Sequence, residues 1–126
     1  MQTDKGLKIE IKSSAYLQSW EQKKLSNIIF GIQPTSNWDY SQNKRTEAKI
    51  RQSDIYIFCV LSHKDKNTVN PLNLNQWDFY ILETKILNEK VQAQKTITLS
   101  SLLRLNPIKV QYNKLKEKIE YYEKLQ

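Results

Sequence analysis

Seven consecutive residues, Ile55-Tyr56-Ile57-Phe58-Cys59-Val60-Leu61, are apolar almost throughout and β-branched or aromatic at most positions. A run of this length and composition is a strand covered on both faces, so the chain must build a sheet with a layer on each side of it. The rest of the pattern supplies those layers. Leu7, Ile9 and Ile11 alternate with Lys8, Glu10 and Lys12, which predicts a strand with the three apolar side chains on one face and Glu10 and Lys12 together on the other. Ile28–Ile32, closed by Pro34, and Trp77–Leu82 predict further strands, and Thr96–Leu99 a short extended piece. Helices are expected at Lys44–Arg51, at Lys85–Val91 and, capped by Ser100, through Leu105. After Pro107, Tyr112, Leu115, Ile119, Tyr122 and Leu125 recur every three or four residues, so residues 108–126 are expected to form an amphipathic terminal helix. Strands interleaved with helices make an α/β (α+β) domain, and 126 residues suffice for one.

Turn chemistry adds a register. Asp4-Lys5-Gly6 has hairpin composition, and a turn centred on Lys5 sets Thr3 against Leu7, Gln2 against Lys8 and Met1 against Ile9. An opening on a hairpin tip leads us to expect that the chain has lost an upstream segment or starts later than its relatives.

Composition narrows the chemistry. A single cysteine, Cys59, excludes a disulfide framework and a multi-cysteine zinc site, and a single histidine, His63, excludes histidine-rich centres. Any metal must be held largely by oxygen. The net charge of +7 favours a polyanionic or acidic partner. No apolar run approaches the ~20 residues of a membrane span, and a cytoplasmic chain is expected.

Glu10-Ile11-Lys12 is the strongest chemical candidate, because a carboxylate and an ammonium two apart on a strand project side by side. The carboxylate and the Ile11 carbonyl can ligate Mg²⁺, while the lysine orients or deprotonates a water beside a phosphodiester. The same spacing recurs at Glu21/Lys23, Glu47/Lys49 and Glu83/Lys85, so an ordinary ion pair on an exposed strand is the competing interpretation. Ser13, Gln18, Gln22 and Lys23 follow the pair and either meet phosphate and water or form a polar surface. Lys44, Arg45, Lys49 and Arg51 either touch the nucleic-acid backbone from one side of the expected helix or form a solvated face. Tyr16, Trp20 and Trp38 either stack on bases or belong to the core and its rim. Cys59 is expected to be a packed thiol, and His63 a loop residue.

The run Gly6–Trp20, GLKIEIKSSAYLQSW, with Gln22-Lys23-Lys24, resembles uncharacterised bacterial proteins of the PD-(D/E)xK, restriction-endonuclease-like superfamily. Later blocks continue the likeness: Phe30-Gly31-Ile32, Arg51–Cys59, His63–Lys66, Pro71-Leu72-Asn73, Gln76–Tyr80 and Gln94–Leu102. The resemblance implies a mixed sheet flanked by helices, with an aspartate on one arm of a hairpin and the E-x-K on the other, together binding Mg²⁺. Glu10 would be the metal ligand, Lys12 would position the water, and Gln22 or Lys23 would assist. Only the second arm is present: the hairpin register sets the partner of Glu10 before Met1, and the fold's first helix and strand are absent too. Asp4 would sit ~20 Å from Glu10, which leaves Asp39, Asp54 or a partner subunit as sources of a second acid. The function expected is Mg²⁺-dependent hydrolysis of DNA phosphodiesters if the metal site is completed. The alternative is an inactive nuclease-fold module that binds nucleic acid or a protein. A sheet edge left uncovered by the missing strand predicts a homodimer.

Overall fold

The computed structural model describes residues 1–18, 22–36, 38–45 and 48–125. Its central sheet has four strands in the order β1 (Ile9–Ala15), β5 (Ile55–Leu61), β6 (Trp77–Glu83), β8 (Ile108–Val110). β1 runs parallel to β5, with Ile9 opposite Ile55 and Glu10 opposite Tyr56, while β5–β6 and β6–β8 are antiparallel, so the sheet is mixed. The expected α+β architecture is therefore present.

All seven residues of β5 are buried, and their alternation divides the core in two. Tyr56, Phe58 and Val60 point into a layer closed by Phe30 of β2 (Ile29–Gly31), Ile97 of β7 (Thr96–Thr98), Leu87 of α1 (Thr84–Lys90) and Leu102 of α2 (Leu99–Leu103). Phe58 is fully buried, edge-on to Phe30 at 4.9 Å and stacked on Tyr56 at 5.5 Å. Ile55, Ile57 and Cys59 point the other way, joining Leu7, Ile9, Phe79, Ile81 and Val110 beneath Tyr122 of α3 (Tyr112–Lys124).

The N-terminal hairpin has the register set by its turn: Gln2 bridges Lys8, the Ile9 amide donates to the Met1 carbonyl at 2.7 Å, and Gly6 takes a φ of 90°. The left-handed backbone at the turn's last residue is one that glycine adopts without strain.

Four expectations need correction. The described residues of the Lys44–Arg51 stretch are not helical: Lys44–Arg45 is a short strand, β4, paired with β3 (Trp38–Asp39), and Ile50 bridges Thr35. The helical propensity of that charged stretch gives way to strand pairing on both sides. Residues 108–110 pair with β6 as β8, so the terminal helix spans 112–124. The α2 cap is Thr98, whose hydroxyl accepts from the Ser101 amide, and not Ser100. Ile11 is half exposed although it shares the face of buried Ile9, because it lies on the edge strand while α3 packs over β6 and β8. No helix among the described residues is long and apolar enough to cross a membrane.

Candidate functional site

β1 carries the chemistry because its backbone divides its duties. The Lys8 carbonyl accepts from the Ile55 amide of β5, whereas Ile9 bonds outward to Met1. By the alternation of a parallel ladder, the main chain of Ile11 faces the outer edge of the sheet, away from β5. The side chains alternate in the other sense. Glu10 and Lys12 share the face of Tyr56 and Phe58, and the Lys12 Nζ lies 3.2 Å from the Glu10 Oε1 with both side chains partly exposed.

That ion pair alone does not mark a site. Glu83 and Lys85 make one of the same 3.2 Å length at the junction of β6 and α1. What distinguishes Glu10 is its setting, a shallow cavity of about 360 Å³ lined by Gln2, Lys8, Ile9, Glu10, Gln52 and Ser53. One wall is held by Arg51, whose Nε donates to the Ile32 carbonyl at 2.8 Å, Nη1 to Asn88 Oδ1 at 2.8 Å and Nη2 to the Gln94 carbonyl at 3.1 Å. Ser53 hydrogen-bonds Thr84, and the Thr84 amide donates to the Asp54 carbonyl. Residues 51–54 are thus clamped onto the start of α1 before the chain enters β5.

Arg51 is only 6% exposed, and each of its three guanidinium nitrogens donates to a protein acceptor. The expectation that it meets a phosphate is replaced by a structural role. Burial lowers its pKa from the ordinary guanidinium value, with the Tyr56 phenol acting in the opposite sense. Tyr56 itself is a residue the sequence did not single out. It stands opposite Glu10, and burial, then the negative charge of Glu10, raise its pKa, with Arg51 opposing. At neutral pH it is a protonated neighbour of the carboxylate, and only the β1–β5 register reveals it.

The other predicted residues separate from the pair. Gln22 accepts from the Gln18 amide through Oε1 and donates through Nε2 to the Tyr16 carbonyl and the Ser26 hydroxyl. The Gln18 side chain donates to the Ala15 carbonyl. Both amides brace the turn after β1, ~20 Å along the strand from Glu10, so the structure does not bring Gln22 or Gln18 together with the Glu10–Lys12 pair. Ser13 is exposed but lies on the Ile11 face, opposite to Lys12. Lys23 is exposed within a bend, and Lys44 and Arg45 are exposed on the β3–β4 hairpin. The Tyr16 ring packs against the core cluster and carries Lys64 Nζ at 4.5 Å over its face, so it belongs to the rim. Trp20 and the side chain of Trp38 lie outside the described residues. His63 Nε2 is 2.6 Å from the Thr68 hydroxyl within its loop.

Cys59 is a packed thiol whose pKa burial pushes up to about 11. We expect it to resist iodoacetamide at pH 8 in the folded protein and to react readily in denaturant, as followed by mass spectrometry. Equal rates in both conditions would contradict the packing.

Magnesium asks for about six oxygens in near-octahedral array, one or two of them carboxylate. Glu10 offers one carboxylate, already against Lys12, and the Ile11 carbonyl a second donor. Asp54 spends Oδ2 on the Lys8 amide at 2.8 Å, and the Asp39 side chain is outside the described set. Among the described residues no group of three His, Cys, Asp or Glu side chains is placed to hold a metal. By themselves these donors do not fit the ion.

A family model described as bacteriophage T4 endonuclease IV matches residues 2–101, from the N-terminal hairpin into α2. No curated protein and no solved structure matches the chain.

Proposed function

Because the chain belongs to the bacteriophage T4 endonuclease IV family, we propose that it is a DNA nuclease domain whose phosphodiester chemistry is centred on Glu10 and Lys12. The observation that carries this is that Glu10 lines an open cavity at an edge strand while paired with Lys12 on the same face, inside the matched region. The Lys12 ammonium would neutralise the charge that grows on the phosphate oxygens at the transition state. Glu10 would hold that ammonium in place and accept a proton from the attacking water as its oxygen bonds to phosphorus and the P–O bond to the leaving sugar oxygen breaks, that oxygen taking its proton from solvent. Lys8 at the cavity, with Lys44 and Arg45 on their hairpin, would take flanking phosphates. The finer placement in the PD-(D/E)xK superfamily rests on the E-x-K strand and the mixed sheet. Magnesium would enter only with a second carboxylate.

A second reading has its own support: among the described residues no group of three His, Cys, Asp or Glu side chains gathers at Glu10 to hold a metal, as in a nuclease fold that binds nucleic acid but does not cut it. Incubation with supercoiled plasmid, single-stranded DNA and RNA, with and without Mg²⁺, decides between them. Nicking of DNA supports the enzyme. No nicking, with affinity falling roughly 40-fold between 50 and 200 mM salt for about three phosphate contacts, supports the silent module. Neither cleavage nor salt-sensitive binding overturns both.

A further inference from the structure

α3 lies beyond the matched residues and presents two faces. Tyr122, with Leu115 and Ile119, packs on the sheet. The flank beside it forms a groove of about 460 Å³, in which Tyr112, Leu115 and Ile119 supply apolar wall and Lys116, Glu120 and Glu123 the rim. Tyr112 is 53% exposed there.

The charges on that rim are arranged by sign along the helix. Lys116 and Glu120 are one turn apart, the spacing at which such residues pair within a helix, yet among the described residues neither forms an ion pair; the helix's only intrahelical pair there is Lys114–Glu117 at 3.9 Å. A two-fold axis perpendicular to α3, passing beside its groove at the level of Lys118, would bring a second α3 antiparallel to the first. Lys116 would then face Glu120 of the second copy, Glu120 would face its Lys116, and Asn113 would face its Glu123. Leu115 and Ile119 of both copies would close the middle. The same patch would serve on both sides, as an isologous interface requires.

We propose that the groove on α3 receives the α3 of a second copy of this chain, forming an antiparallel, two-fold symmetric dimer. A 13-residue helix is ~20 Å long, so the contact falls short of the roughly 800 Å² per partner of a standard interface. The dimer is therefore expected to be weak and concentration-dependent.

Sedimentation equilibrium between 10 and 500 µM tests this. The wild type is expected to rise in mass from one chain towards two. Lys116→Glu and Glu120→Lys each set like charges together at both symmetry-related positions, and each is expected to weaken association at least tenfold. An equimolar mixture of these two variants restores opposite charges at both positions and is expected to recover the dimer, an outcome that intrahelical pairing cannot produce. Circular dichroism melting of each variant confirms that it is folded. A wild type that stays monomeric at 500 µM overturns the proposal, as does a dimer indifferent to both swaps, which would place association elsewhere, such as the outer edge of β1. Failure of the mixture to associate overturns it as well.

Discussion

Alanine at Glu10 or at Lys12 is expected to lower plasmid nicking by a factor of 100 or more, the scale of losing a positioned proton acceptor or a charge aimed at the transition state. The two residues touch at 3.2 Å and act as a unit, so the double variant should lose little more than the worse single. Glu83→Ala and Lys85→Ala remove an ion pair of equal length elsewhere and should leave nicking unchanged. Because both pairs are partly exposed, each is worth under about 1 kcal/mol of stability, and all four variants should melt close to the wild type. Residual cleavage that is equal in wild type, Glu10→Ala and Lys12→Ala would remove the catalytic assignment. An equal loss in Lys85→Ala would reduce the site to a general charge effect.

Arg51→Ala is the variant expected to cost the fold most among the basic residues. Its guanidinium joins three separate segments, at Ile32, Asn88 and Gln94. Hydrogen bonds to a charged group contribute about 1.5–3 kcal/mol each and are not additive, and removing the donor leaves its acceptors unsatisfied. A loss of about 3 kcal/mol is expected, which for a domain of this size lowers Tm by about 10 °C. Arg51→Lys keeps the charge but lacks the planar fork, and should recover only part of the loss. Arg45→Ala removes the same charge from the exposed hairpin and should change stability by less than about 0.5 kcal/mol. If Arg51→Ala and Arg45→Ala melt alike, the clamp has been misassigned.

The contrast between these two arginines shows what the sequence could and could not convey. Periodicity and turn chemistry sufficed for β5, β6, α1 and the hairpin at Gly6, since those depend on local pattern. Nothing local separates Arg51 from Arg45. One is buried because acceptors from three distant segments converge on it, and such convergence exists only after folding. The same holds for residues 108–110, whose conformation is decided by pairing with β6, and for Ile11, whose exposure depends on where α3 packs. At the candidate site, the Glu10–Lys12 pair was legible because a strand's two-residue repeat fixes it. Tyr56, Gln52 and Ser53 were not, because they arrive through the parallel pairing of segments 46 residues apart.

That separation also bears on how the molecule assembles. β5 and β6 are neighbours in the chain and pair antiparallel, whereas β1 must close a loop of about 40 residues before it can dock. Loop closure is unfavourable until the contacts it permits are made. The strand bearing Glu10 and Lys12 is therefore expected to settle last of the three, completing the acid–amine pair late in folding. Destabilising substitutions at Ile9 should accelerate unfolding with little effect on the refolding rate, the reverse of those at Ile81; equal effects on refolding at both positions would contradict this order.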